Sequence, residues 1–147
     1  MKLNILLCDA FTGVLPSFIE SYPSMFYTLF DSVSKDMEYQ VYDVQKGEIP
    51  KEIRTDELYL IPGSRAGAYE DTLWIKELIN FIRKAHEVRA KLIGVCFGHQ
   101  VIAQALGGVV EKSDKGWGTG IRTSQIVLPE AKKFFPDLEE NWNSFSI

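Results

Sequence analysis

The sequence predicts an α/β fold, a mostly parallel sheet with helices on both faces. Three observations carry that expectation. Short, largely apolar runs recur at Leu3–Cys8, Leu58–Ile61 and Leu92–Val95. Each is too short for a helix, and none shows the alternation of a half-exposed strand, which suits strands covered on both sides. Segments with apolar residues at helical spacing stand among them, in the order strand, helix, strand, loop, strand, helix, strand, helix. The size agrees: 147 residues, 46% hydrophobic and 24% charged, match one globular domain and exclude disordered, collagenous and coiled-coil chains.

The elements follow in chain order. Leu3–Cys8 ends at Asp9, Thr12 and Gly13. Ser21-Tyr22-Pro23 supplies an N-cap and a first-turn proline. Met25, Phe26, Leu29, Phe30 and Val33 then continue a helix over about 22–35. Tyr39–Val44 is β-rich and predicts a strand, and residues 45–57 a polar connection. Leu58–Ile61 stops at Pro62-Gly63. Asp71 or Thr72 caps the clearest helix, whose apolar stripe is Ile75, Leu78, Ile79, Ile82 and Ala85. Leu92–Val95 is a buried strand ending at Cys96, and Gly98–Leu106 a helix stopped by Gly107-Gly108. Gly108–Glu111, Ile121–Leu128 and Trp142–Ile147 read as later strands. In such sheets ligands bind at the carboxyl ends of the strands. The loops that matter are therefore Asp9–Pro16, Pro62–Glu70 and Cys96–Gln100.

Charge and composition narrow the partners. Lys+Arg is 16 against Asp+Glu 20, a net charge of −4. No basic surplus argues for nucleic acid or an anionic membrane. The apolar N-terminal run is broken by Asn4 and Asp9, so it reads neither as a signal peptide nor as a membrane span. Cys8 and Cys96 lack a CxxC spacing, which points to a reducing, cytoplasmic setting rather than a disulfide framework. Cys8 reads as a small buried hydrophobe. Two histidines in all make a metal centre unexpected.

The chemistry lies in Leu92-Ile93-Gly94-Val95-Cys96-Phe97-Gly98-His99-Gln100. It is G-x-C-x-G between a buried strand and a helix, the layout of a nucleophile elbow. Glycines two residues to either side let the backbone close up, and the sulfur is lifted above the sheet. Unpaired N–H groups at the start of the helix favour negative charge there. The Phe97 N–H points at a developing oxyanion.

Gly94-Val95-Cys96-Phe97-Gly98-His99-Gln100 resembles the nucleophile motif of class I (triad) glutamine amidotransferases. The resemblance covers essentially the whole chain. It is closest to stand-alone proteins that resemble the amidotransferase domain of GMP synthase, some of which act as γ-glutamyl peptidases. It implies a flavodoxin-like three-layer sandwich, no cofactor, and glutamine or a γ-glutamyl compound as substrate. Cys96 matches the nucleophile that attacks the side-chain amide to give a γ-glutamyl thioester and ammonia. Phe97 matches one backbone oxyanion donor. Pro62-Gly63-Ser64 falls where the family has a Gly-Gly-Pro-like loop, so Gly63 resembles the other donor. Gln100, Gly98, Ser64 and Trp117, the last within Gly116-Trp117-Gly118-Thr119-Gly120, fall at positions bordering the substrate. Arg65 and Tyr69 lie on the same loop as Gly63 and read either as ligand contacts or, the favoured alternative, as ordinary surface residues. A synthase chain receiving ammonia is a further implied partner.

One part of the pattern is missing. A cysteine of this type needs a histidine base oriented by a carboxylate, and the family carries both late in the chain. His99 lies three residues past Cys96 on a helix that turns it away from the sulfur, and His86 reads as a surface residue near Arg83, Lys84 and Arg89. The sequence thus reads either as a domain incomplete at its C-terminus or as an inactive protein. The intact loops around Gly63 and Cys96 favour the first. Two other functions stay open: a γ-glutamyl peptidase using the same nucleophile, and a catalytically inactive flavodoxin-like binding module. A flavin or nucleotide site in that module is the weaker form, because Gly63-Ser64-Arg65-Ala66-Gly67 lacks a P-loop lysine pattern.

Overall fold

The computed structural model describes residues 1–9 and 21–114, together with the backbone of two later strands at 120–125 and 141–146. The chain divides into two compact units, Met1–Lys112 and Ser113–Ile147.

In the first unit, β1 (Lys2–Leu7), β2 (Glu38–Asp43), β3 (Leu58–Ile61) and β4 (Lys91–Gly94) form one sheet in the order β2-β1-β3-β4. Every pairing is parallel, with Ile5 beside Val41 and Leu60, and Leu60 beside Ile93. The apolar run of β1 is thereby central, with Leu3, Ile5 and Leu6 fully buried. Side chains alternate across the sheet. Leu3, Ile5 and Leu60 pack with Phe26 of α1 (Tyr22–Asp31). Leu6, Tyr59 and Ile61 pack on the other side with Ile75, Leu78 and Ile82 of α2 (Leu73–Glu87) and with Phe97 and Val101 of α3 (Phe97–Ala105). This is the expected three-layer, flavodoxin-like sandwich. Asn4, the polar residue inside β1, is buried and donates to Glu57 Oε2 (2.7 Å) and to the Leu58 carbonyl (3.3 Å).

Helix ends show where local pattern gives way. Ser21 caps α1 in a reciprocal box with Ser24, as its position suggested. The helix ends at Asp31 rather than near residue 35. Of its expected stripe only Phe26 is buried and Phe30 half-buried, while Met25, Leu29 and Val33 are exposed (Val33 83%), and the Ser32 hydroxyl donates to the Leu29 carbonyl at 2.6 Å. Thr72 is the N-cap residue of α2, without a side-chain cap bond. Val44 opens a short 3₁₀ turn, Val44–Lys46, instead of closing β2.

The expected strand at Gly108–Glu111 is absent. Gly107 adopts φ +94°, and the Gly107 and Gly108 N–H groups fold back to the carbonyls of Gln104 (3.3 Å) and Ala103 (2.8 Å). That closes α3 in a Schellman motif and leaves Val109 88% exposed. In the second unit, β5 (Gly120–Gln125) and β6 (Asn141–Ser146) pair antiparallel, with Ser124 opposite Trp142. The expected continuation of these strands at 126–128 and at Ile147 lies outside the described residues.

Candidate active site

Strand order reverses about β1, because the chain steps from β1 outward to β2 and then returns to place β3 on the other side. The crevice between the carboxyl ends of β1 and β3 is the topological switch point of the sheet. Cys8-Asp9, Gly63-Ser64 and Cys96 all follow strands at that end.

Cys96 stands between β4 and α3 with φ +52° and ψ −109°. A side chain in that region costs on the order of 1–3 kcal/mol and persists only when its surroundings enforce it. Here they do. The Val95 N–H donates to the Ile61 carbonyl (2.9 Å), and the Gly98 N–H to the carbonyls of Pro62 (3.2 Å) and Val95 (2.9 Å). The turn is thus lashed to the end of β3. Both flanking glycines are required by space. A β-carbon on Gly94 would lie 2.6 Å from the His99 backbone nitrogen, and one on Gly98 only 1.9 Å from the Ile61 carbonyl oxygen. Cys96 is exposed.

Phe97 opens α3. Its side chain is 1% exposed and packs on Trp74 with ring centres 5.6 Å apart, which fixes its peptide. The Phe97 N–H is in the first helical turn, where no intrahelical acceptor exists, and it has no acceptor among the described residues. Gly63 lies beside Cys96, since a β-carbon there would be 3.7 Å from Cys96 Cβ. Its N–H donates to the Tyr22 hydroxyl at 3.0 Å.

The remaining predicted residues fall into three groups. The Ser64 hydroxyl donates to the Cys8 carbonyl (2.9 Å) and accepts from the Ala66 N–H (3.1 Å), so it binds the β1 loop to the β3 loop. Gly98 is buried against β3, and Gln100 is half-buried on the first turn of α3 with its N–H on the Cys96 carbonyl at 3.2 Å. Trp117 lies outside the described residues. Neither histidine hydrogen-bonds the sulfur: His86 is exposed near the end of α2, and His99 Nδ1 sits 3.1 Å from the Cys96 carbonyl oxygen.

Two features escaped the sequence reading. Arg65 is no ordinary surface residue. Its guanidinium grips Asp9 through Nη2–Oδ1 (2.9 Å) and Nε–Oδ2 (3.0 Å), and its backbone N–H adds a third bond to Oδ2 (2.9 Å). The Arg65 side chain is 77% exposed while that of Asp9 is 12% exposed. Asp9 holds the Arg65 pKa above its ordinary value, through the hydrogen bond first and the charge second. The other feature is Tyr22, which reads in sequence only as the start of α1. These partners are 56 and 41 residues apart in the chain, and no periodicity or spacing links them.

Cys8 contrasts with Cys96. It is fully buried and donates to the Leu6 carbonyl at 3.1 Å. Burial pushes its thiol far up, with Asp9 and Asp43 adding to the shift.

Fold and turn together describe a flavodoxin-like α/β protein that presents one cysteine on a nucleophile elbow. The family profile described as Glutamine amidotransferase class-I matches residues 17–140. The chain belongs to that family. It is 36% identical over 99 residues to "Gamma-glutamyl peptidase 4" of Arabidopsis thaliana, covering 63% of this chain and 39% of that one. It is 30% identical over 132 residues to a putative glutamine amidotransferase-like protein of Schizosaccharomyces pombe, covering 85% of this chain and 50% of that one. A glutamine amidotransferase crystal structure from Thermotoga maritima superposes with a TM-score of 0.74 over 98% of this chain and 58% of that one, at 22% identity. The chain spans about half the length, or less, of the curated relatives it matches. No helix among the described residues is long and apolar enough to cross a membrane.

Proposed function

We propose that this protein cleaves γ-glutamyl amides through Cys96, with glutamine as substrate. The sulfur attacks the side-chain carbonyl carbon. A C–S bond forms, and the carbonyl π electrons move to oxygen, where the N–H groups of Phe97 and Gly63 receive the charge. Collapse breaks the C–N bond, ammonia leaves with a proton, and water then hydrolyses the γ-glutamyl thioester to glutamate. The observation that carries this reading is the left-handed backbone at Cys96, locked by the close-packed Gly94 and Gly98, beside a Phe97 N–H with no acceptor among the described residues. Gln100 and Gly98 border the glutamyl group, and Ser64 shapes the loop that carries Gly63. Neither His86 nor His99 is assigned as the base. The proton transfers call for an imidazole from outside this sequence.

A γ-glutamyl peptidase with the same nucleophile is the second reading, favoured by the names of four relatives from Arabidopsis thaliana. It differs only in the leaving group, an amine of the peptide in place of ammonia. In the first reading a separate synthase chain would receive the ammonia. Both place the protein in a reducing, cytosolic setting, where Cys8 and Cys96 stay free. A chloromethyl ketone analogue of glutamine tests the nucleophile directly. Cys96 should be alkylated, Cys8 should be spared, and Cys96→Ala should abolish labelling. Equal and slow labelling at both cysteines would remove the basis of the elbow. Release of ammonia from glutamine, set against release of amine from γ-glutamyl dipeptides, separates the two substrates.

A further inference from the structure

The Gly63 N–H has an acceptor already. Tyr22 is the first residue of α1, held by the capping box below it and by the Phe26 ring 5.6 Å away. Its hydroxyl oxygen accepts from Gly63 at 3.0 Å. A β-carbon on Gly63 would meet that oxygen at 3.0 Å and Cys96 Cβ at 3.7 Å, so the phenol oxygen, the Gly63 amide and the nucleophile's side chain converge on one spot. An amide N–H makes one strong, linear hydrogen bond. A substrate carbonyl that uses Gly63 must take the position the phenol oxygen holds.

We infer that the Tyr22 hydroxyl is a place-holder for the substrate's carbonyl oxygen, which displaces it from the Gly63 N–H on binding. The inference rests on the amidotransferase reading and adds a competitor within the same site. The chemistry of exchange suits the role. A part-buried N–H left without an acceptor is costly, and a neutral phenol oxygen meets that need at Gly63. Burial of the phenol pushes its pKa up, so it stays neutral. An oxyanion forms a charge-assisted bond about twice as strong, so the exchange becomes favourable as charge develops on the reacting oxygen. Tyr22 also leads directly into α1, so displacement would be transmitted to the start of that helix.

The test is the second-order rate of Cys96 alkylation by the chloromethyl ketone analogue, in the unaltered chain and in Tyr22→Phe. Removing the competing oxygen should raise that rate by about threefold to tenfold, the range set by one net hydrogen bond. An equal or slower rate in Tyr22→Phe would overturn the inference and leave the amidotransferase reading standing. Absence of Cys96 labelling in both proteins would overturn the reading and the inference with it. A measurement on the unaltered protein guards against a variant that fails to fold. With ¹⁵N and ring-¹³C labels, alkylation should shift the Gly63 amide and the Tyr22 ring together. A shifted Gly63 amide beside an unmoved Tyr22 ring would show that the two oxygens do not share a place.

Discussion

At Cys96 stability and chemistry oppose each other within one residue. The φ of +52° lifts the sulfur clear of the sheet at the cost of a backbone region that side chains avoid. A glycine there loses the strain but gains freedom in the unfolded chain, about 0.5–1 kcal/mol in the opposite direction. With strain on the order of 1–3 kcal/mol, Cys96→Gly should be more stable than the native protein by about 1 kcal/mol while losing the exposed thiol. Chemical denaturation with unchanged slope and a raised midpoint would confirm it. A lowered midpoint would mean the turn is not strained. Gly94 and Gly98 are legible in the sequence as spacing, and the distances behind that spacing are backbone contacts to His99 and Ile61. Tyr22 and Arg65 were not legible, because their partners come from other loops.

Helices and strands follow the local pattern where burial supports it and depart where it does not. The stripe Ile75, Leu78, Ile79, Ile82 and Ala85 predicts α2, and all but the half-buried Ile79 are buried. Its end is less regular. Arg89 adopts φ +60°, while the Arg89 and Ala90 N–H groups return to the carbonyls of His86 (2.9 Å) and Ala85 (2.8 Å). This is a Schellman closure with arginine where glycine is preferred. The left-handed conformation costs a non-glycine residue about 1–2 kcal/mol, so Arg89→Gly should stabilise the protein by up to about 1 kcal/mol after the entropy of glycine is counted. A thermal shift of a few degrees upward checks this, and no shift would mean that the Arg89 side chain contributes as much as the strain removes. The Gly107-Gly108 pair stops α3, as the sequence predicts. The strand expected after it failed because a Schellman turn commits both N–H groups backward, away from any ladder.

Across the whole molecule, the unit Met1–Lys112 contains the parallel sheet, both packed faces and the Cys96 elbow. It should therefore fold by itself. A protein ending at residue 112 is expected to unfold cooperatively, with Cys96 reactive and Cys8 protected until denaturation. Loss of cooperativity or early modification of Cys8 would show that the later strands are needed to hold the sheet. The Asp9–Arg65 clamp and the Ser64–Cys8 bond join the carboxyl ends of β1 and β3 across the switch point, so the site is fastened where the topology opens it.

The sequence by itself determined the class of fold, the three strands that run toward the Cys96 end of the sheet, the buried stripe of α2 and the glycine spacing around Cys96. All of these are local signals: an apolar run, a period of 3.6, a glycine two residues to either side of a cysteine. Only the tertiary structure decided what Gly63, Ser64 and Arg65 do, and that Tyr22 reaches the Gly63 amide. Those roles are contacts between segments 41 and 56 residues apart. Such contacts arise only when a parallel sheet brings the ends of β1, β3 and β4 to one edge, and no property of the residues taken singly specifies them.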